Sequence, residues 1–506
     1  MKEMITYTNP VVSGCYPNPS ICRVGHDYYM ITSSNEYFPG VPLLHSRDLV
    51  HWQHVGHCLT RASQLPLVGL QSSRGILAPT IRYHEGLFYV VATNVPDKGN
   101  FYVFSDDPLG EWSEPIWLQQ GGIDPSLYFD DGHVYLSTSD GWPEPSIYQC
   151  EIDIKTGQQL TETRLLWRGS GGRYPEGPHL YHIGDFHYLL AAEGGTEYGH
   201  METLARSRSP WGPFEPCPHN PILTHRNHGT HPIQGAGHAD LIEAHDGSWW
   251  LVFHGFRPKH GLFHHIGREI LLTPVTWTED GWLLVSPDKT VDVEMHVKTL
   301  PQQKQEEEPE RDDFSAPALR PIWSFLRNPR AEDWSLSERP GWLRLYGSTV
   351  TLNDLDSPAF VGRRQQHLEA NSKALLDFHP TGEGHEAGLT LRMNEQHHYE
   401  IAVIREQGKR SIIVRRRIGD LIAIVARDII PEEGLVELEI RAKSDEYTFL
   451  YTIAGQPTRN LASGATRYLS TEVVGGFLGV KIAMYATSNG NGKTAPADFD
   501  WFEYHP

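Results

Sequence analysis

Short apolar runs with a period near two, broken by Gly, Pro and Asp, dominate residues 1–295, and no stretch there has the spacing of a long amphipathic helix. One unit recurs five times. A turn with Gly or Asp leads into paired aromatic or apolar residues at 25–30, 85–90, 131–136, 184–189 and 246–251, each a hairpin signal. The gaps between Tyr29, Tyr89, Tyr135, Tyr188 and Trp250 run from 46 to 62 residues, close to the ~40–50 of propeller repeats once loop insertions are allowed. Five blades are predicted. A weaker echo at 46–52, 105–112 and 207–214, each with a Trp (Trp52, Trp112, Trp211), predicts outer-strand turns whose aromatic side chain packs between blades.

The pattern changes at residues 301–311, a polar, charged stretch too poor in apolar surface to be core. Beyond it, β-type runs return at 412–417 and 434–440 without the propeller unit, and an aromatic strand at 499–504 is expected to close a β-sandwich. The prediction is an all-β chain: a five-bladed β-propeller over 1–299, a linker over 300–311 and a β-sandwich over 312–506.

Charge narrows the partners. The formal net charge is −20, from 63 acidic and 43 basic residues, a field that repels phosphate backbones and anionic lipid. Neither nucleic acid nor a membrane is an expected partner. The first residues lack the apolar segment of a secretory signal, and the five scattered cysteines suit buried, reduced thiols. A soluble, cytoplasmic protein is the expectation.

Chemistry enters just upstream of the hairpins, at Asn18-Pro19-Ser20, Ala78-Pro79-Thr80, Asp124-Pro125-Ser126, Glu176-Gly177-Pro178 and His238-Ala239-Asp240. Matched positions on successive blades meet at one mouth of the central channel, so Asn18, Asp124, Glu176 and His238 are expected together. Hydrolysis of a glycosidic bond needs one carboxyl to protonate the leaving oxygen and a second to activate water or attack the anomeric carbon. Asp124 and Glu176 are candidates, although acids at strand starts commonly just bond turn amides.

Residues 16–20, 122–126, 174–179 and 267–269 together resemble the signatures of glycoside hydrolase family 43, in order, and residues 35–42 and 78–82 resemble its β-xylosidase-like branch. The likeness extends into a C-terminal sandwich of concanavalin-like jelly-roll type. It implies an inverting, exo-acting glycosidase that releases terminal β-D-xylose or α-L-arabinofuranose from short oligosaccharides, with Glu176 as general acid and Asp124 raising its pKa. The general-base position falls on Asn18, whose amide cannot take a proton from water. Either an introduced Asp→Asn change or a natural loss or relocation of the base accounts for this. Asn35, Leu77 and Arg74 also depart from the branch's usual residues, which favours natural divergence. A non-catalytic saccharide-binding or sensing protein is the alternative.

The resemblance further implies sugar contacts from Arg268, Asn35, Phe38, Arg74, Leu77 and a lid residue, Phe477. It implies that His238 orders water or a calcium ion in the channel, and that the chain forms dimers or tetramers. No organic cofactor is implied. His179, Glu193, His200 and His231 are expected near the mouth without a catalytic role.

Overall fold

The structure is a computed structural model that describes residues 4–95, 99–141, 144–259, 261–298, 303 and 308–506. Five antiparallel sheets follow one another along the chain, each of four main strands. Their innermost strands are Ser20–Val24, Gly75–His84, Ile123–Asp130, Glu176–Ile183 and Gln234–Glu243, and they pack side by side into a closed ring. The recurring sequence unit is the turn from the innermost to the second strand. At Glu85–Gly86 and Asp131–Gly132 both turn residues have positive φ (48° and 86°, 47° and 78°), the mirror-image turn whose twist matches the flanking strands.

Each echo tryptophan packs its blade against the one before. Trp112 of blade 2 joins an apolar cluster shared with blade 1, and Trp211 of blade 4 lies edge-on to Tyr135 of blade 3 at 5.4 Å. Trp52 of blade 1 packs against the cluster shared with blade 5. The N-terminal strand Ile5–Thr8 closes the circle on Glu294–Val297, helped by Asn9, whose side chain exchanges hydrogen bonds with the backbone of Leu272.

Two sheets of eight and six strands form the sandwich. In the first, Ala370–Phe378 alternates buried and half-buried positions, one face on the core. Ala497–His505, the aromatic strand expected to close the sandwich, lies inside this sheet and pairs with Ala370–Phe378, Leu343–Leu345 and Arg311–Asp312. Residues 300–302 and 304–307 of the expected linker lie outside the described residues, and Arg311 already belongs to a strand.

In the second sheet Glu386–Asn394 is buried on both faces, its outer face meeting sandwich side chains at Glu386 and the propeller at Arg392. Polar groups define that contact. Arg392 donates to Tyr37 and Ser72 and lies 3.6 Å from the fully buried Glu36, while Arg327 donates from its side chain to Leu70 O and from its backbone to Glu36 O. This second domain therefore holds the segment around Asn35 and Ser73, which faces the channel mouth.

Candidate active site

Every blade has a left-handed residue just before its innermost strand or within that strand's first five residues: Asn18 (φ 58°), Ala78 (31°), Asp124 (53°), Gly177 (56°) and His238 (55°). In blades 2 to 5 the strand register breaks at this point. Such a bulge re-aims a side chain, and Asn, Asp and His tolerate the conformation better than most residues. The ring corrects the sequence alignment, in which Glu176 stood at the matched position of blade 4. Gly177 holds that position, and Glu176 precedes it. A side chain at 177 has no room, since a Cβ there would lie 2.9 Å from the His238 ring. The blade-4 acid is thus displaced by one residue.

Asp124 and Glu176 are joined through this step, because the Gly177 N–H donates to Asp124 Oδ2 at 3.1 Å. Burial pushes the Asp124 carboxyl up to about 6 against the pull of that hydrogen bond and of Arg268. Burial, and then the charge of Asp124, push Glu176 up to about 8, with Arg268 and Arg173 opposing. Glu176 thus holds its proton at neutral pH while Asp124 is largely ionised, the division of roles that two adjacent acids need for acid catalysis.

His200 was not given a role by sequence, yet it faces Glu176. Its Nδ1 lies 3.1 Å from Gly235 O, which fixes the proton on that nitrogen. Its Nε2, buried and without a hydrogen-bond partner, sits 3.8 Å from Glu176 Oε1. Burial brings the His200 pKa down to about 4, so the contact is between a neutral ring and a protonated carboxyl, not an ion pair. Glu193 and Glu202 hold loops instead: Glu193 accepts from the backbone of Ser170 and Gly172 and from Thr203, and Glu202 from Ala239 N.

Arg268 is the hub of the opposite wall. It donates through Nη1 to Asn18 Oδ1 at 3.0 Å and Thr196 Oγ1 at 3.1 Å, and through Nη2 to Phe477 O at 3.3 Å. Asn18 is fixed at three points, since its N–H also donates to His254 Nδ1 and its Nδ2 lies 3.3 Å from His238 Nε2. Phe477 is 42 % exposed, with its ring centre 5.6 Å from the Arg268 guanidinium carbon. Beside it a cavity of about 440 Å³ opens between propeller and sandwich, lined by Thr196, Tyr198, Phe256, Glu472 and Phe477 among others. The short helix Thr471–Val474 above it is latched to the propeller by Glu472, which pairs with His264 at 2.6 Å.

The remaining predicted contacts divide. Leu77 is half-buried at the register break of blade 2, and Arg74 is exposed on the loop before it. Asn35 is buried, bonded through its backbone to Ile76 in both directions, with Nδ2 lacking a partner. Phe38 is half-buried, pairs with Phe325 and packs between the sandwich core and the core of blades 1 and 2, at the domain seam. His231 lies in a turn against His225.

His238 is pushed well below its usual range by burial, by the imidazoles of His200 and His179 and by Arg268, so it is neutral. Calcium takes about six to eight oxygen ligands, whereas this ring is surrounded by nitrogens. Asp240, the carboxylate whose charge reaches it, already accepts from Ser20, Ile21, Arg82 and Tyr181. These residues do not fit a directly held calcium ion.

Comparison with known proteins agrees with this geometry. The profile "Glycosyl hydrolases family 43" matches residues 7–283, and "Beta xylosidase C-terminal Concanavalin A-like domain" matches residues 311–505. The chain is 45% identical to a non-reducing end alpha-L-arabinofuranosidase of Bacteroides ovatus, over 99% of this chain and 94% of that protein. It is 33% identical to a beta-xylosidase of Bacillus subtilis, over 98% and 99%. The solved structure of a Bacteroides ovatus xyloglucan-locus family 43 protein superposes with a TM-score of 0.96 at 44% identity, covering 99% of this chain and 100% of that one. A xylan beta-1,4-xylosidase of Bacillus halodurans superposes at 0.93 and 34% identity, with the same coverage. With both domains matched, the chain belongs to glycoside hydrolase family 43 and is a glycosidase.

Proposed function

We propose that this glycosidase is exo-acting and releases a terminal pentose, α-L-arabinofuranose or β-D-xylose, from the non-reducing end of short oligosaccharides. The names of the relatives support the sugar class. The observation that carries the reading is the protonated Glu176 beside the ionised Asp124, opposite an arginine whose fork already grips the Asn18 amide.

In the proposed reaction Glu176 donates its proton to the leaving oxygen as the glycosidic bond breaks. Asp124 keeps that proton in place until then, because a second negative charge beside it is unfavourable. Arg268, with one fork of donors near the mouth, binds sugar hydroxyls. The water that attacks the opposite face needs a proton acceptor, and the Asn18 amide supplies none. Turnover is therefore limited at water activation, and Asn18 restricts the enzyme without disturbing binding.

Asn18 also favours a second reading, a saccharide-binding protein that has kept the acid and the arginine but lost turnover. Release of 4-nitrophenol from the β-xyloside and the α-L-arabinofuranoside by the protein and by Asn18→Asp separates the two. A lost base costs on the order of 10²–10⁴-fold, so a gain of that size in Asn18→Asp supports the enzyme reading with an impaired base. Equal turnover by both proteins means that the base lies elsewhere. No turnover by either favours the binding reading.

A further inference from the structure

We propose that Asp130, His182 and His187 form a transition-metal site of the zinc type at the end of the propeller opposite the sugar pocket. His182 and His187 stand directly across from each other on the first two strands of blade 4, flanking the Gly184–Asp185 turn. Directly opposed residues of an antiparallel pair project from the same face, so both rings rise on one side of the hairpin and stack at 4.4 Å. Asp130 ends the innermost strand of blade 3 and reaches across the seam between the blades. Its Oδ1 lies 2.8 Å from His182 Nδ1 and its Oδ2 3.9 Å from His187 Nδ1.

One ligand atom from each of the three residues falls within 4.8 Å of the other two. Ligand atoms of a tetrahedral zinc ion, with bonds near 2.0–2.1 Å, stand about 3.3 Å apart, so a rotation of the half-exposed His182 ring completes the approach. Two imidazoles and one carboxylate form a donor set that suits zinc and its neighbours in the first transition row and not calcium or magnesium. A fourth position is left to water, because the His182 side chain is 48 % exposed while those of His187 and Asp130 are 7 % and 16 % exposed. Tyr128 Oη lies 2.9 Å from the same His187 Nδ1, so the hydroxyl turns aside when that nitrogen takes the ion.

The other blade seams differ at this level. Between blades 2 and 3 His84 stacks on Phe129 at 4.3 Å, and between blades 5 and 1 His26 packs on His245 at 4.6 Å, with Tyr28 bonded to the same ring. Those seams are closed by aromatic contact. Only the 3–4 seam, among the described residues, brings a carboxylate and two imidazoles to metal-holding distance. Asp130 lies six residues along its strand from Asp124, about 20 Å at 3.3 Å per residue, so the ion would staple two blades and take no part in glycoside cleavage.

Calorimetric titration of the full chain with zinc chloride tests this, alongside His182→Ala and Asp130→Asn and with thermal unfolding as a second readout. The expected result is one zinc ion per chain, affinity at least tenfold lower in either variant, and a melting temperature raised by zinc in the parent protein alone. Equal binding by parent and variants would place the metal elsewhere and overturn the site. Absence of binding by the parent would leave an ordinary Asp–His ion pair and overturn it equally. Glycosidase activity is expected to be unchanged in both variants, which keeps this outcome separate from that of the pocket.

Discussion

Two glutamates of this protein, one in each domain, are treated in opposite ways. In the sandwich, Glu386 accepts from both arms of Arg415, from Tyr485 and from Asn489, and although burial alone would raise it, these partners hold it below the usual carboxylate range. At the propeller mouth, Glu176 has a neutral imidazole and an ionised aspartate for neighbours, and it is raised. For Glu386 counter-charge and hydrogen bonds outweigh burial, whereas for Glu176 burial and the charge of Asp124 outweigh Arg268 and Arg173.

Replacement of each residue by glutamine sharpens that contrast, beginning with the largest effect. Glu176→Gln is expected to lower turnover of oligosaccharides on the order of 10²–10⁴-fold with the fold intact by circular dichroism. Glu386→Gln removes the main counter-charge of the buried Arg415 and leaves it Glu400 at 3.8 Å, which costs about 3 kcal/mol of stability. Chemical denaturation measures this loss, and the activity per folded molecule is expected to be unchanged. An equal loss of activity in both would erase the distinction.

The two sites must also respond to pH with opposite sign. The folded-state pKa of Glu176 is raised, so its contribution to stability is complete below the unfolded value of 4.5 and is lost as pH rises through about 8. Glu386 is lowered, so its contribution is present above 4.5 and disappears as pH falls through its folded value. At pH 7 Glu176→Gln is accordingly expected to melt higher than the parent and Glu386→Gln lower. Melting temperatures of the three proteins between pH 4 and 9 check the signs.

Smaller effects should come from groups that act through the acid or the lid. His200→Ala is expected to lower kcat about tenfold with little change in KM, and to move the alkaline limb of the pH–rate profile, since the ring faces Glu176 Oε1. A purely structural role would lower stability and leave that limb in place. Glu472→Gln loosens the helix that roofs the cavity, and the half-buried pair with His264 is worth about 1 kcal/mol. A rise in KM of about fivefold, with kcat unchanged, is the expected outcome of steady-state kinetics.

Much of the architecture was legible because it is periodic. Five hairpin units fix the blades, and the echo tryptophans mark the contacts between them. The polar stretch near residue 305 separates two β domains. What sequence could not give was anything set by one residue of register. Glu176 and Gly177 both follow Pro175 closely, and only the His238 ring pressed against residue 177 decides which occupies the bulge. Phe38 sits in a segment that resembles pocket motifs, yet its neighbour Tyr37 hydrogen-bonds an arginine of the other domain, Arg392, which draws the segment into the seam. His200 is expected near the mouth, but its role is hidden among 28 histidines, because the signal is an unpartnered ring nitrogen and not a spacing. The three-residue group at the 3–4 seam is hidden for another reason, since Asp130 and His182 are brought together by blade order alone.

The central claim, that Glu176 delivers the proton to the leaving oxygen, is tested most directly by the leaving-group dependence of Glu176→Gln. An acid matters when the leaving oxygen is basic and little when it departs unaided. The account predicts that the variant loses activity on the order of 10²–10⁴-fold toward an arabinose- or xylose-terminated disaccharide, and far less toward the 2,4-dinitrophenyl glycoside of the same sugar. An equal loss on both substrates would contradict it, because the carboxyl would then be holding the site together and not protonating the bond that breaks.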